Sequence, residues 1–163
     1  MKTVVILGSS RKEGDTAAMV DLLVKQANWD SIDLNDYHIG YYDYAHQNRN
    51  DDYVALMKEL IGKYDTFLFA TPVYWYSMSG IMKVFFDRFT DLLEIEKELG
   101  RALRTKKMGA ISCSMGNLPG DFFWMPFSET AHYLGMKYIG NAHFISRSEN
   151  EQKMREFIRC VED

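Results

Sequence analysis

The chain has 163 residues, of which 47% are hydrophobic and 26% are charged, a composition typical of a folded globular domain rather than of a disordered or fibrous chain. Its net charge of −4 weighs against binding to nucleic acid or to anionic membrane surfaces. No apolar stretch approaches the ~18 residues of a membrane helix, so we predict a single cytoplasmic domain over residues 1–163.

Five segments along the chain are predicted to be strands. Three of them are continuous apolar runs, which is typical of strands that helices cover on both faces of a parallel sheet. The other two are more polar, as the edge strands of a sheet tend to be. The apolar strands lie at residues 3–8, 66–71 and 108–114, and the polar ones lie at residues 31–36 and 138–146.

Helical patterns alternate with these strands. Asp15 is the predicted N-cap of the first helix, Asp51 or Asp52 that of the second, and Ser148 opens a capping box before the last. The fourth helix is predicted at about residues 126–136, and residues 94–106 either extend the third helix or form a separate turn. The apolar faces consist of Met19, Leu22, Leu23 and Ala27 in the first helix, Tyr53, Met57, Leu60, Ile61 and Tyr64 in the second, Ile81, Val84, Phe85, Phe89, Leu92 and Leu93 in the third, and Met154, Phe157, Ile158 and Val161 in the last.

This alternation predicts a three-layer α/β/α domain, in which helices cover both faces of a five-stranded parallel sheet. If the apolar strands are central and the polar ones form the edges, the strand order is 2-1-3-4-5, which is the flavodoxin-like arrangement. The winding direction then reverses between strands 1 and 3. A ligand crevice is expected there, at the carboxyl ends of the strands.

The first loop at this crevice, GSSRKEGDT at residues 8–16, offers hydrogen-bond donors for a phosphate group. Gly8 lets the backbone turn, Ser9 and Arg11 add side-chain donors, and the following helix presents unpaired N–H groups. The loop matches neither the Walker A spacing nor G-x-G-x-x-G. Glycine, serine and aspartate are also common in tight strand-to-helix turns that bind nothing.

The second loop, TPVYWYSMSG at residues 71–80, places three aromatic residues in a strand-to-helix turn. The strand is expected to end at Thr71, because a residue before proline favours extended geometry. Tyr74, Trp75 and Tyr76 suit a flat ring system. At least one of them is expected to cap the core or to lie in a subunit interface instead.

The third loop, SCSMGNLPGDFFW at residues 112–124, combines glycines with polar side chains. Gly116 and Gly120 let the backbone approach a ligand closely, and Ser112, Ser114 and Asn117 offer hydrogen bonds. A mobile surface loop has the same composition.

These motifs carry a resemblance to a known family. The segment GSSRKEGDTAAM, followed further along the chain by TPVYWYSMSGIMKVFFDRF, resembles the flavodoxin-fold NAD(P)H-dependent FMN reductases, especially the branch of iron–sulfur flavoproteins and multimeric flavodoxins. The resemblance implies FMN as the cofactor. It places the phosphate on Ser9, Arg11, Asp15 and Thr16, and the isoalloxazine ring along Pro72, Val73, Tyr74, Trp75 and Tyr76, with Ser114, Met115 and Gly116 beside it.

The sequence departs from this family in two places. Residues 38–52 contain no cysteine, so the compact cysteine motif of the iron–sulfur relatives is missing and we predict no iron–sulfur cluster. Position 15 is commonly Asn in relatives but is Asp here, and a carboxylate repels a phosphate dianion. Asp15 is tolerated if it turns away as an N-cap or if Arg11 offsets it, and we expect weaker FMN binding than in relatives with Asn.

The resemblance implies an NAD(P)H-dependent reductase of a small acceptor, such as free flavin, a quinone, an azo compound or a ferric chelate. NAD(P)H is expected to be a transient co-substrate that shares the crevice with the acceptor, which predicts ping-pong kinetics. FMN carries the chemistry, so we predict no catalytic side chain. The alternatives are a non-enzymatic electron carrier that docks on a protein redox partner, and a flavin-free signalling domain.

Other residue types offer weaker candidates for chemistry. The four histidines lack metal-ligand spacing, so no metal site is predicted. Cys113 is interpreted as a small buried residue, and Lys83, Asp87 and Arg88 as architectural residues. Because members of the family are often dimers or tetramers, we expect a homodimer or homotetramer, with a set of aromatic residues as candidate subunit contacts: Tyr41, Tyr42, Tyr44, Phe122, Phe123 and Trp124.

Overall fold

A computed structural model describes residues 1–117 and 120–163, and Leu118 and Pro119 of the third loop lie outside the described residues. The chain forms a parallel sheet with the strand order β2-β1-β3-β4-β5, which confirms the predicted fold class. The strands are β1 (Thr3–Leu7), β2 (Asp30–Asp33), β3 (Thr66–Pro72), β4 (Lys107–Ser114) and β5 (Lys137–Ile145).

The α-helices of the described residues are α1 (Asp15–Ala27), α2 (Asp52–Lys63), α3 (Gly80–Asp87), α4 (Phe89–Glu94), α5 (Lys97–Ala102), α6 (Met125–Leu134) and α7 (Glu151–Glu162). Short 3₁₀ helices form at Leu34–Asp36, Leu103–Thr105 and Asp121–Trp124. Within these two described ranges, no helix combines the length and the apolar composition needed to span a bilayer.

The two faces of the sheet carry separate hydrophobic layers. Val4 and Ile6 of β1 point to the layer that contains α2, α3, α4 and α6. Val5 and Leu7 point to the layer that contains α1 and α7. Because both faces are covered, every residue of β1 is buried, and this is why the strand reads as a continuous apolar run.

The third predicted helix is interrupted at Arg88. α3 ends at Asp87 and α4 runs from Phe89 to Glu94. Within residues 94–106, Lys97–Ala102 form α5 and Leu103–Thr105 form a 3₁₀ turn, so most of this stretch is not an extension of the same helix. Two residues of the predicted apolar faces, Leu22 and Leu93, are exposed.

The Arg88 side chain at this interruption is 1% exposed and fixes the long segment between β2 and α2. Its guanidinium donates to both carboxylate oxygens of Asp51, at 2.5 and 3.1 Å, and to Asp91 at 2.6 Å. It also donates to the carbonyls of Gly40 at 2.9 Å and Asn48 at 3.2 Å. A buried cation requires such partners, because an unpaired charge in the core is costly.

The observed N-caps of the helices agree only partly with those predicted from the sequence. Asp51 caps α2 through its side chain, as predicted. The predicted capping box at Ser148 is wrong, because α7 begins after Asn150, whose amide donates to the Ser148 carbonyl at 3.1 Å. The N-cap of α1 is Gly14, so Asp15 is the first helical residue rather than the cap.

Two of the aromatic residues expected at a subunit interface are part of the core instead. Phe123 and Trp124 are buried and pack edge to face, with ring centroids 4.9 Å apart. Both lie in the 3₁₀ turn before α6 and pack against Phe127 in the core, so their side chains are not available to a second subunit. Tyr41, Tyr44 and Phe122 remain exposed.

Candidate functional site

The loops that follow β1, β3 and β4 surround a cavity of about 180 Å³ at the carboxyl edge of the sheet. Most of the site residues implied by the sequence line it: Ser9, Arg11, Asp15, Thr16, Pro72, Val73, Tyr74, Ser114 and Met115. Trp75, Tyr76 and Gly116 lie on the same loops outside the cavity lining. Gly14 and Cys113 line the cavity as well, although the sequence did not indicate them as binding residues.

The first turn of α1 supplies the backbone donors of this cavity. Gly14 precedes the helix in an extended conformation, with φ −135° and ψ 175°, and no side chain among the described residues caps the turn. The first N–H groups of a helix have no partner inside the helix, so here they remain able to bind an anion at the positive end of the dipole. The starts of α2 and α3 differ, because the side chains of Asp51 and Ser79 accept hydrogen bonds there.

The side chains of the first loop complete this donor set. Arg11 folds back over Gly14, with its Nε 3.6 Å from the position that a Cβ would occupy at Gly14. Ser9 is buried, and its hydroxyl accepts a hydrogen bond from the Arg11 backbone N–H at 3.4 Å. Asn35 donates to the Ser9 carbonyl at 2.7 Å and so holds the loop from the side of β2.

Ser79 binds the first two loops to each other. Its buried hydroxyl donates to the Gly8 carbonyl at 2.6 Å, and its N–H donates to Thr71 Oγ1 at 2.9 Å. A Cβ at Gly8 would lie 3.0 Å from Cβ of Met82 and 3.3 Å from its Cα, so the close approach of α3 to this loop favours glycine. The crevice between β1 and β3 is therefore fixed by buried contacts.

Residues 74–77 form a tight hairpin that exposes aromatic side chains. Tyr74 and Ser77 exchange both backbone hydrogen bonds, at 2.9 and 3.0 Å. Between them Trp75 and Tyr76 have φ angles of 48° and 65°, the type I′ pattern that Asn-Gly usually occupies, because bulky residues are strained there. Trp75 is 94% exposed, Tyr76 63% and Tyr74 39%, so none of the three is buried in the core. A strained turn that exposes large aromatics is typical of a binding site.

His143 of β5 binds the third loop. Its Nε2 lies 2.7 Å from the Gly116 carbonyl oxygen and 3.3 Å from Ser114 Oγ, and its Nδ1 lies 2.8 Å from Ser112 Oγ. The Ser114 hydroxyl also donates to the Gly116 carbonyl, at 2.8 Å. The sequence had indicated no role for His143.

Asp15 lies between the cavity and a cation. Its carboxylate is 3.8 Å from Nε of Arg147, in the turn after β5, so Arg147 rather than Arg11 is the cation that pairs with it. Burial, together with the negative charge of Asp15, raises the pKa of the Cys113 thiol to about 11. This thiol therefore stays protonated at neutral pH and is a poor nucleophile.

This donor set fits a phosphate monoester that carries a flat ring. The helix start, Ser9, Thr16 and Arg11 suit the phosphate, while the neighbouring hairpin offers aromatic faces. The cavity is smaller than the roughly 300 Å³ of common ligand pockets, so it would enclose only part of such a molecule. In residues 1–117 and 120–163, no three His, Cys, Asp or Glu side chains are grouped closely enough to hold a metal ion.

Comparison with known sequences relates the chain to flavin reductases. The sequence model of the family described as NADPH-dependent FMN reductase matches residues 1–151. A protein of Bacillus subtilis (strain 168), named "Putative NAD(P)H-dependent FMN-containing oxidoreductase YwqN", is 27% identical over 150 residues, which cover 86% of this chain and 82% of that protein.

Solved structures share the fold. The Trp repressor binding protein from Bacillus subtilis superposes with a TM-score of 0.75 at 22% identity, covering 98% of this chain and 97% of that one. A general stress protein 14 from Treponema denticola, solved in complex with FMN, gives a TM-score of 0.63 at 17% identity, with coverages of 98% and 94%. An NADPH-quinone reductase from P. pentosaceus gives 0.68 at 14% identity, with coverages of 99% and 98%.

Proposed function

This chain belongs to the NADPH-dependent FMN reductase family, and we propose that it transfers electrons from NAD(P)H to a small acceptor by ping-pong kinetics. As a member of this family the protein is an FMN-dependent oxidoreductase that uses NAD(P)H. The acceptor classes are those that a flavin reduces directly: a quinone, an azo compound, free flavin or a ferric chelate.

The proposal rests on one observation: the uncapped start of α1 and the aromatic hairpin border the same crevice. Ser9, Arg11, Asp15 and Thr16 surround the phosphate position in this proposal, and Arg11 supplies the charge that a dianion requires. The ring then runs outward along the second loop, over Pro72, Val73, Tyr74, Trp75 and Tyr76. Ser114, Met115 and Gly116 approach its other edge.

In this arrangement the protein binds, orients and shields, while bound FMN supplies the hydride chemistry. The N–H groups of α1 and the Arg11 guanidinium hold the phosphate end. The hairpin at residues 74–77 limits the tilt of the ring. Backbone N–H groups of the third loop can stabilise negative charge that develops on the reduced ring.

The proposal of ping-pong kinetics is based on a crevice that both substrates would share. NAD(P)H and the acceptor would share the crevice with bound FMN, so in this proposal they would bind in turn. Each substrate would leave before the other binds.

Absorbance and steady-state kinetics test the function. We expect the purified protein, supplied with FMN, to show a visible flavin spectrum and to oxidise NADPH or NADH rapidly only when a quinone is present. Double-reciprocal plots at several quinone concentrations should be parallel. Intersecting lines contradict the ping-pong scheme, and a flavin that NAD(P)H does not reduce contradicts the assignment as a reductase.

The proposal extends to the assembly and the location of the protein. We propose a single domain over residues 1–163 that forms a homodimer or homotetramer in the cytoplasm. Exposed Tyr41, Tyr44 and Phe122 support a subunit contact, because large aromatics on a surface favour association. Sedimentation that shows only monomer would exclude it.

A further inference from the structure

The contacts of His143 determine which of its ring nitrogens carries the hydrogen. The Gly116 carbonyl, 2.7 Å from Nε2, can only accept, so Nε2 must be the donor. Nδ1 of the neutral ring then accepts, and the Ser112 hydroxyl, 2.8 Å away, donates to it. One ring therefore joins β4 on one side to the third loop on the other.

The surroundings of the ring favour this neutral tautomer. Ser112 is fully buried, and in the part of the chain that the structure describes its hydroxyl bonds to His143. A second ring proton would turn Nδ1 into a donor and leave the Ser112 hydrogen without that acceptor. The pKa of His143 is lowered from its usual value. Burial lowers it most and the charge of Lys153 on α7 lowers it further, and together they outweigh the hydrogen bond to the Gly116 carbonyl, which raises it.

Among residues 1–117 and 120–163, little packs against the third loop near Gly116. A Cβ at Gly116 would meet no atom of these residues within 4 Å, and Met115 is exposed. Hydrogen bonds therefore fix this part of the loop. One runs from the His143 ring to the Gly116 carbonyl, and another runs from the Ser114 hydroxyl to the same carbonyl.

We propose that His143 is a positioning residue of the flavin site, which holds the backbone of residues 114–116 where it can contact bound FMN. The inference rests on the proposed function, because that function assigns the third loop to the flavin. A contact in a binding site must be held to within about 0.5 Å to be fully effective. A loop without its anchor must be ordered by the ligand, and this ordering weakens binding.

Substitution of His143 by asparagine or glutamine tests the two ring nitrogens separately. An Asn side chain reaches about as far as Nδ1, so His143→Asn keeps a partner for Ser112 and loses the donor to Gly116. A Gln side chain reaches about as far as Nε2, so His143→Gln keeps the donor to Gly116. We expect His143→Asn to weaken FMN binding about tenfold, equivalent to about 1.4 kcal/mol, and His143→Gln to stay within about threefold of wild type.

Fluorescence titration with FMN measures these dissociation constants, and thermal unfolding without flavin reports folding separately. His132→Asn and His132→Gln are matched controls, because His132 lies exposed on α6, and they should bind FMN as wild type does. Wild-type affinity in His143→Asn overturns the proposal, and so does an equal loss in His143→Gln.

Nitrogen NMR of the wild-type histidines tests the inference without any variant that must fold. We expect the Nε2–H tautomer for His143 and a shift of this signal when FMN is added. An Nδ1–H tautomer, or a signal that FMN leaves unchanged, overturns the role of His143. These outcomes differ from a failure of the proposed function. In that case the wild-type protein would bind no FMN, or would bind it with an affinity that does not depend on Arg11.

Discussion

Asp15 offers a sharp test of the electrostatics at the proposed phosphate site. Its carboxylate begins α1, and Arg147 lies 3.8 Å away. The Asp15 carboxylate and one negative charge of a phosphate about 4 Å away would repel each other by about 4 kcal/mol at an effective dielectric constant of about 20. The side chains of Asp15 and Arg147 are 37% and 78% exposed, so water and salt screen much of this interaction. We expect Asp15→Asn to tighten FMN binding about tenfold, equivalent to about 1.4 kcal/mol, or roughly a third of the unscreened value.

Titration with FMN and with riboflavin measures this effect, because riboflavin lacks the phosphate. The affinity for riboflavin should not change, and the gain for FMN should shrink as the salt concentration rises. Asp21→Asn is the matched control, because it removes the same charge about 9 Å further along α1. The flavin-free Asp15→Asn protein should be about 0.3–1 kcal/mol less stable, since a carboxylate stabilises a helix start. Equal or weaker FMN binding by Asp15→Asn, or equal tightening of riboflavin, refutes this reasoning.

Three further predictions concern other parts of the molecule. Arg11→Ala should weaken FMN at least about tenfold and riboflavin little, because a charge-assisted bond to phosphate is lost; titrations that show equal losses exclude Arg11 as a phosphate ligand. Tyr76→Gly should stabilise the flavin-free protein by about 1 kcal/mol in thermal unfolding, because it removes a left-handed non-glycine residue, and should weaken FMN binding; a lower unfolding temperature shows that the hairpin is not strained. Burial raises the pKa of Asp51, but hydrogen bonds from Arg88 and two backbone N–H groups outweigh it and lower the pKa below its usual value. This carboxylate therefore stabilises the fold above the ordinary carboxyl pKa, and the stabilisation is lost as the pH falls through the lower value of the folded state. Asp51→Asn should cost about 3 kcal/mol at pH 7 and flatten the acid side of the profile in urea unfolding, and an unchanged profile contradicts this role.

The fold could be predicted where one residue pattern has one structural meaning. A central parallel strand is covered on both faces, so the apolar runs of β1, β3 and β4 identified the centre of the sheet. The interruption at Arg88 could not be predicted in this way, because apolar residues keep helical spacing from Ile81 to Leu92. Arg88 is a core residue because partners far away in the chain, Asp51 above all, approach it together with the nearby Asp91.

Most of the cavity-lining residues could be predicted because they belong to the loops that follow the central strands. The hairpin conformation could not, since Trp75-Tyr76 is not a sequence that favours positive φ at both positions. The pairing of Asp15 with Arg147 depends on the turn after β5, which has no clear signature in the sequence.

The position of His143 depends on an irregularity in the sheet. The pairing of β4 with β5 shifts between Met108 and Ala110, and this shift places His143 opposite Ser112. A shift of one residue moves every later side chain to the other face of the sheet. Strand patterns in the sequence do not reveal such a shift, so the contact with the third loop could not be predicted.

A crystal structure of the protein with bound FMN tests the central claim most directly. We predict the phosphate within about 3 Å of the first N–H groups of α1 and of the Arg11 guanidinium, with the ring along Tyr74 and Trp75. A phosphate bound away from the first loop, or a ring that contacts neither aromatic residue, contradicts the proposed site.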